Sequence, residues 1–299
     1  MTYIGRFAPS PTGLLHFGSL LAATASYLQA RSQQGQWLLR IEDLDKPREQ
    51  AGAADAIIQT LAAYGFEWDQ SIIYQSQRIA AYTESLNNLK PFIYSCNCSR
   101  KLLQALANHG NFGLIYPGIC RYKHLVLSEA LAIRIRTLDQ PIYFYDHIQG
   151  SYCQNLAREL GDFVIRRADQ IFAYQLAVVV DDAWQGITEI VRGSDLLDNT
   201  PRQIYLQQLL GYSTPSYAHI PIAINALGQK LSKQTLAPAI TTQAHELLNN
   251  LGKVLQFLGQ TPANAHSFST LKEFWDWAIA NWDLNKIPKQ LTAHPTSFT

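Results

Sequence analysis

The sequence predicts an α/β fold in which a parallel sheet of the dinucleotide-binding type is divided by an inserted segment. Three observations carry this prediction. Strand-like and helix-like patterns alternate over residues 1–91, the alternation stops over residues 92–162, and it resumes over residues 163–240. Helical spacing of apolar residues then dominates residues 241–299, where we expect a small helical appendage.

Composition sets the broad class of the protein. Of the 299 residues, 47% are hydrophobic and 16% are charged, which is typical of a globular protein. No apolar run approaches membrane-spanning length, and no signal-peptide pattern opens the sequence. Four cysteines are too few for a disulfide scaffold of this size, so we expect a cytoplasmic protein. The net charge of +1 excludes a general attraction to nucleic acid, so any RNA contact must come from local basic clusters.

The first element is a short strand around Tyr3-Ile4, followed by an extended loop with two prolines, a turn at Gly13 and a helical pattern. A strand, a rigid loop and a helix N-terminus together can present backbone N–H groups to a phosphate. His16 and Gly18 would add an imidazole and space for a nucleotide close to the backbone. From the residues alone, a plain strand-to-helix connection in which His16 caps and packs explains this stretch equally well.

The second strand, Trp37–Ile41, runs directly into the acidic cluster Glu42–Asp45. In open α/β sheets ligands bind at the carboxyl edge, where a carboxylate can hold the ammonium group of an amino acid. A solvated acidic turn before a helix is the alternative interpretation of this cluster. Amphipathic helices are predicted at residues 52–63 and 76–89, which completes the alternation of the first half.

Residues 92–162 contain three grouped cysteines that could serve as metal ligands. These are Cys96, Cys98 and Cys120. Zinc takes four such donors in a tetrahedron, and the residues alone leave the fourth open between His109, His124 and Tyr116. His124 is favoured at this point because imidazole is a commoner zinc ligand than phenol. Three reduced core cysteines are the alternative, and Cys153 is interpreted as a buried small side chain.

Two strands are predicted within this segment. Leu131–Arg136 alternates between apolar and polar residues and should form a half-exposed strand, and Ile142–Asp146 is a second candidate. Arg134 and Arg136 would share one face, where pairing with internal acids is favoured over contact with RNA.

The second half of the fold begins at Asp162–Arg166 and includes the apolar run 173–182 and a strand at Ile187–Gly193. Tyr174 opens the apolar run, and Arg192 stands at the carboxyl end of the strand. Taken alone, Tyr174 is best explained as a core aromatic and Arg192 as a surface charge.

Two motifs carry a resemblance to a known family. Arg6–Gly13 followed by His16–Ser19 resembles the first signature of class I glutamyl-tRNA synthetases, and Lys230–Lys233 resembles their lysine loop. By itself the second motif would be two solvated lysines in a glycine-preceded loop. Both motifs together, in the right order within residues 3–240, are much more specific. The resemblance implies a class I synthetase Rossmann-like sheet, split by a zinc-containing insertion.

Three features resemble a truncated branch of that family, the glutamyl-queuosine tRNA(Asp) synthetases. Residues 241–299 are too few for the anticodon-binding domains of a full-length enzyme. Tyr116, four residues before Cys120, completes the metal-ligand set of this branch, so the resemblance makes Tyr116 the fourth zinc ligand. The variant His16–Ser19 also fits the branch, although Ser19 replaces a second histidine of the family motif.

The resemblance implies an enzyme that activates glutamate with ATP and Mg²⁺ as glutamyl-adenylate. It then transfers the glutamyl group to the queuosine base in the anticodon loop of tRNA(Asp). A monomer that contacts no membrane is expected, with 1–91 and 163–240 as the catalytic halves and 92–162 as the insertion. The alternatives are a short glutamyl-tRNA synthetase that charges the 3′ end of tRNA(Glu), and a non-enzymatic RNA-binding paralogue.

The same resemblance assigns individual residues to roles, and it leaves open which arginine takes the side-chain carboxylate of glutamate. The assignments are His16, Lys230 and Lys233 for catalysis; Arg6, Ala8, Ser10, Glu42, Tyr174 and Arg192 for glutamate; His16, Gly18, Ser19 and Lys233 for ATP; and Cys96, Cys98, Tyr116 and Cys120 for zinc.

Overall fold

A computed structural model describes residues 2–225, 227–230, 239–260 and 268–295. Its strands, in chain order, are β1 (Ile4–Phe7), β2 (Gln36–Ile41), β3 (Ile73–Tyr74), β4 (Ile93–Cys96), β5 (Asn108–Gly110), β6 (Gly113–Ile115), β7 (Ala132–Ile135), β8 (Pro141–Asp146), β9 (Gly150–Asn155), β10 (Val164–Arg166), β11 (Glu189–Gly193), β12 (Ser216–Ile220), β13 (Ile222–Ala223) and β14 (Thr292–Ala293).

The α-helices are α1 (Phe17–Ser32), α2 (Ala53–Ala63), α3 (Ile79–Asn88), α4 (Arg100–Leu106), α5 (Leu156–Glu159), α6 (Tyr174–Trp184), α7 (Thr200–Leu210), α8 (Ala244–Phe257) and α9 (Leu271–Asn281). Short 3₁₀ helices cover Lys46–Arg48, Gln75–Arg78, Lys90–Phe92, Ser194–Asn199 and Leu284–Lys286. Among the described residues, none of the helices combines the length and the apolar character needed to cross a bilayer.

The central sheet is largely parallel, as predicted. The strand predicted to open the second half, β10, lies outside it, because it pairs antiparallel with β7. Strands β1, β2 and β3 pair in parallel, and so do β11, β12 and β8, while β9 runs antiparallel to β8. The two groups meet between β1 and β11. There the Thr188 N–H donates to the Ile4 carbonyl at 2.9 Å, and the Ile4 N–H donates to Thr188 Oγ1 at 2.9 Å.

Both faces of this sheet are buried, as expected for parallel strands covered by helices. Alternate residues of β2 show the two cores: Trp37 and Leu39 pack with α1, α8 and α9, whereas Leu38 packs with α3, α6 and α7. Helix α1 is buried along most of its length because it lies between the sheet and the C-terminal helices. The helical appendage therefore shares the first core, with Trp275 of α9 against Tyr27 of α1.

The segment 92–162 contributes to two different sheets. Strands β4, β7 and β10 form an antiparallel sheet beside a small hairpin of β5 and β6, whereas β8 pairs with β12 of the central sheet. The pairing of β8 with β12 joins the β8–β9 hairpin to the strands of the second half. The boundaries of the inserted segment at residues 92 and 162 stay a prediction.

Two local predictions were wrong. Strand β7 is buried from Ile133 to Ile135 and not half-exposed, because β4 and β10 flank it on both sides. Cys153 is exposed and not buried, because it lies on β9 opposite the exposed Tyr143.

Candidate active site and metal centre

A single cavity of about 750 Å³ lies at the carboxyl ends of β1, β2, β11 and β12. Ten of the predicted site residues line it: Arg6, Ala8, Ser10, His16, Gly18, Ser19, Glu42, Tyr174, Arg192 and Lys230. Lys233 lies outside the described residues. The cavity thus brings together both motifs of the sequence, which are far apart along the chain.

The amino end of α1 forms one wall of this cavity. The helix begins at Phe17, and the His16 carbonyl accepts hydrogen bonds from the N–H groups of Ser19 and Leu20 at 2.9 and 3.0 Å. His16 therefore precedes the first turn, and Gly13 makes the predicted turn before it with φ +140°. The first-turn N–H groups and the positive end of the helix dipole make this wall suitable for an anion.

A buried ionic network lies behind the cavity. Asp182 of α6 accepts two hydrogen bonds from Arg6, Nε to Oδ1 at 3.0 Å and Nη2 to Oδ2 at 3.3 Å. Arg40 lies 2.8 Å from Asp182 Oδ1 and 3.4 Å from Glu42 Oε1. The four side chains are at most 8% exposed, so folding fixes their positions.

The two carboxylates of this network differ in protonation. Burial raises the pKa of Glu42 to about 7, and the neighbouring charges of Arg40 and Arg6 do not offset it. Burial also opposes ionisation of Asp182, but Arg6 and Arg40 outweigh it and hold its pKa below the usual value. An additional cation in the cavity would therefore stabilise the charge of Glu42 in particular.

Arg192 is buried but is held by neutral partners. Its Nε donates to His219 Nε2 at 2.9 Å, Nη1 to Gln203 Oε1 at 2.8 Å, and Nη2 to Thr200 Oγ1 at 2.8 Å. The Tyr174 hydroxyl lies 3.5 Å from Nη1. No carboxylate of the described residues lies within 4.0 Å of this guanidinium. Such a guanidinium is suited to an anionic ligand, above all a carboxylate.

Lys230 lines the same cavity and pairs with Asp195 at 2.5 Å. Asp195 lies in the 3₁₀ helix that follows β11. The pair joins the start of the lysine loop to the strand that carries Arg192.

The three cysteines come together in a small core of their own with Tyr116 and Tyr94. Their sulfur atoms lie within 4.8 Å of one another, and Cys98 Sγ is 3.5 Å from Cys120 Sγ. The Tyr116 oxygen is 3.5 Å from Cys96 Sγ and 3.8 Å from Cys98 Sγ. Ligand atoms about 3.8 Å apart are expected around a tetrahedral zinc ion with bonds of about 2.3 Å. The donor set therefore fits a metal, and it includes no histidine of the described part of the chain.

Electrostatics within this cluster favour one thiolate. Burial opposes ionisation of Cys96, but hydrogen bonds from Tyr116, the Cys98 backbone and Arg134 outweigh it and lower the pKa of this thiol to about 7. Burial raises the pKa of Cys98 to about 11. Arg134 lies 3.3 Å from Cys96 Sγ and 3.7 Å above the Tyr116 ring, so it supplies positive charge beside the sulfurs.

Arg134 does not bind the internal acid that the sequence analysis favoured as its partner. Its Nη1 donates to the backbone carbonyl of Asp162 at 2.6 Å, and Arg136 donates to the Ile93 carbonyl at 2.7 Å.

Several supporting residues were missed by the sequence analysis, chiefly Arg40, Asp182, His219 and Asp146. Arg40, Asp182 and His219 are polar residues inside apolar strand or helix patterns, and that mismatch was the available signal, whereas Asp146 ends β8. Their partners could not be read from the sequence, because Arg6 and Asp182 are 176 positions apart.

Comparisons with known proteins agree with this geometry. Residues 4–290 match the family model for the catalytic domain of class I tRNA synthetases (E and Q). A glutamyl-Q tRNA(Asp) synthetase of Neisseria meningitidis serogroup C is 54% identical, with 98% of this chain and 100% of the relative covered. A protein of the same name from Chromobacterium violaceum is 52% identical over 96% of this chain and 95% of the relative.

Solved structures share the fold. A glutamate tRNA ligase from Elizabethkingia meningosepticum, in complex with its amino acid, superposes with a TM-score of 0.82 at 24% identity. It matches 100% of this chain and 67% of its own. The glutamate-tRNA synthetase of Elizabethkingia anophelis gives a TM-score of 0.80 at 24% identity, over 97% of this chain and 67% of its own.

Proposed function

The chain belongs to the class I tRNA synthetase family (E and Q), and we propose that it attaches glutamate to the queuosine base in the anticodon loop of tRNA(Asp). One observation carries the proposal: a single cavity combines a guanidinium held by neutral partners, a buried carboxylate and a helix N-terminus. These groups match the carboxylate and ammonium of an amino acid and the phosphates of ATP. The curated relatives that this chain matches over nearly their full length bear the corresponding name.

Glutamate is held by charges that folding has already placed. Arg192 binds a carboxylate, because its guanidinium has only neutral partners among the described residues. Glu42 binds the ammonium group, which stabilises the ionised form of this buried carboxyl group. Arg6 contributes less, since the Asp182 carboxylate already offsets its charge, and Ala8, Ser10 and Tyr174 complete the walls.

ATP lies against the start of α1, with His16, Gly18 and Ser19 around its phosphates. An oxygen of the glutamate α-carboxylate attacks the α-phosphorus of ATP. A new oxygen–phosphorus bond forms, the bond from the α-phosphorus to the oxygen bridging it to the β-phosphate breaks, and pyrophosphate leaves. His16, the helix N–H groups, Lys230 and Lys233 stabilise the charge that develops on the phosphate oxygens. Mg²⁺ bound together with the ATP would offset part of the negative charge of the phosphates.

The acceptor is a base of the anticodon loop and not the 3′ end of a tRNA. The chain covers 95–100% of the two relatives described above, which are named for tRNA(Asp), but only 67% of the glutamate tRNA ligase it superposes on. The similarity to these named relatives supports the modifying activity over charging of tRNA(Glu).

Cys96, Cys98, Cys120 and Tyr116 hold Zn²⁺ in this proposal, with Arg134 offsetting the negative charge of the thiolates. When bound, the ion supplies a structural cross-link between β4 and the loop before β7. All four cysteines are free thiols, which supports a cytoplasmic enzyme. A monomer is part of the same proposal.

The acceptor can be tested directly with radiolabelled glutamate, ATP and three separate RNA substrates. These are tRNA(Glu) and two forms of tRNA(Asp), one with queuosine and one with guanosine at the same position. We expect label only on the queuosine form, in the anticodon-loop fragment after ribonuclease digestion. Label on the 3′ fragment of tRNA(Glu) would instead establish a short glutamyl-tRNA synthetase. Absence of glutamate-dependent pyrophosphate exchange would favour the alternative that the chain is a non-enzymatic RNA-binding paralogue.

The lysine loop is tested in the exchange assay without tRNA. Lys233→Ala should suppress glutamate-dependent exchange, because the loop supplies charge to the pentacoordinate phosphorus. Lys272→Ala, which removes an exposed lysine of α9, is the matched control and should leave the rate unchanged. An unchanged rate in Lys233→Ala would remove that residue from the proposal.

A further inference from the structure

A buried chain of three side chains runs from β8 through β12 to Arg192. His219 Nδ1 lies 2.6 Å from Asp146 Oδ2, and His219 Nε2 lies 2.9 Å from Arg192 Nε. Asp146 and His219 are 0% exposed, and Arg192 is 5% exposed. The Thr200 hydroxyl also lies 3.3 Å from His219 Nε2. None of the roles assigned above uses Asp146 or His219.

The contacts determine the tautomer of His219. An arginine Nε–H can only donate, so His219 Nε2 must accept, and the ring proton must be on Nδ1 and donated to Asp146. Burial and the nearby Arg192 keep the imidazole neutral. Asp146 is itself fixed, because its Oδ1 accepts the backbone N–H groups of Ile148, Gln149 and His219 at 3.0, 2.8 and 3.1 Å.

Two arginines of the cavity are therefore held in opposite ways. Arg6 is bound by the carboxylate of Asp182, which cancels its charge locally. Arg192 is bound by the neutral ring of His219, and the carboxylate of Asp146 contacts the other nitrogen of that ring, not Arg192 itself. A neutral acceptor fixes the orientation of the guanidinium and leaves its charge for a ligand.

We propose that Asp146 and His219 are positioning residues that hold Arg192 in the orientation that binds a carboxylate of glutamate. This inference rests on the proposed function, because it assumes that the cavity takes an amino acid. It also favours Arg192 over Arg6 as the arginine that carries the main interaction with the substrate carboxylate.

Two substitutions of His219 separate a positioning role from a structural one. Gln can place an amide oxygen near the site of Nε2 and still accept from Arg192, whereas Asn can keep only the donor toward Asp146. In glutamate-dependent pyrophosphate exchange, His219→Asn should raise the KM for glutamate about tenfold or more. The KM for ATP should stay unchanged. In His219→Gln the KM for glutamate should return most of the way to the wild-type value. Equal glutamate KM values in His219→Asn and the wild type would overturn the proposal.

Asp146→Asn tests the tautomer itself. The amide oxygen can keep the three backbone contacts, but the amide N–H₂ would face His219 Nδ1 and move the ring proton to Nε2. The N–H groups of His219 Nε2 and Arg192 Nε would then face each other without an acceptor between them, so the KM for glutamate should again rise about tenfold.

Nitrogen-15 NMR of the wild-type protein tests the tautomer of His219 without relying on the folding of any variant. We expect an unprotonated Nε2 and a protonated Nδ1 for His219, and a protonated Nε2 would refute the positioning role. A wild-type chain without any glutamate-dependent exchange would instead refute the proposed function, so the two failures are distinguishable.

Discussion

The cavity and the cysteine cluster, formed by Cys96, Cys98, Tyr116 and Cys120, are built in opposite ways. The cavity takes side chains from β1 to the lysine loop and is supported by buried ion pairs between the two main cores. The cysteine cluster comes from one short stretch of chain and has only a small core of its own. Folding alone therefore places the charges of the cavity, whereas the cysteine cluster gathers sulfur donors that a cation would stabilise.

This difference predicts that the cavity depends on individual charges, and the largest effect should follow from removing Arg192. Arg192→Ala takes away the main charge assigned to a substrate carboxylate, and we expect a loss of about a thousandfold in kcat/KM for glutamate. The measurement is pyrophosphate exchange. Arg158→Ala removes an exposed arginine and should have no effect, so similar losses in both variants would contradict the assignment.

The second prediction concerns the support of the cavity. Asp182→Asn leaves Arg6 and Arg40 buried beside a neutral amide, so the free energy of unfolding should fall by about 3–5 kcal/mol. Urea denaturation measures this change. Asp139→Asn breaks an exposed pair with Arg158 and should not shift the midpoint. An equal midpoint for Asp182→Asn and the wild type would show that the network does not support the fold.

The third prediction is a pH dependence of glutamate binding. Glu42 has a pKa raised to about 7 by burial, so it becomes protonated as the pH falls through that value and loses its attraction for an ammonium group. Apparent affinity should fall about tenfold from about pH 8 to about pH 6. Glu42→Gln should bind weakly at every pH and remove this dependence. A wild-type affinity that is flat over this range would contradict the role of Glu42.

The smallest effect on glutamate should come from the cysteine cluster. Cys98→Ser should abolish the one equivalent of zinc expected in the wild type and increase hydrogen exchange in β4 and β7. The KM for glutamate should change less than about threefold, because the cavity is supported by other elements. Cys153→Ser changes the exposed cysteine and is the matched control for both readouts. A large change in the KM for glutamate in Cys98→Ser would mean that the two regions are coupled.

The sequence predicted the walls of the cavity better than their support. Arg6 and His16 lie in the first motif. Arg192 stands at a strand end but was assigned to the site only through the family resemblance, and all three line the cavity. Asp182 and His219 could not be predicted, because a buried polar residue within an apolar pattern reveals that it has a partner but not which one.

The cysteine cluster shows the same limit at short range. Cysteine spacing predicted the three sulfur donors, whereas residues alone favoured His124 over Tyr116 as the fourth. In the structure the Tyr116 hydroxyl lies beside Cys96 and Cys98, and it also accepts the Cys120 N–H at 3.0 Å. Gly161 allows the Tyr116 backbone to take this place, because a Cβ at position 161 would lie 2.3 Å from the Tyr116 carbonyl oxygen.

The central claim is that one cavity holds glutamate and the phosphates of ATP together. A crystal structure of the chain with a non-hydrolysable glutamyl-adenylate analogue tests it most directly. We predict a carboxylate of the analogue on Arg192, its ammonium group at Glu42 and its phosphate mimic at the start of α1. An analogue bound outside this cavity, or with no carboxylate within hydrogen-bond distance of Arg192, would contradict the account.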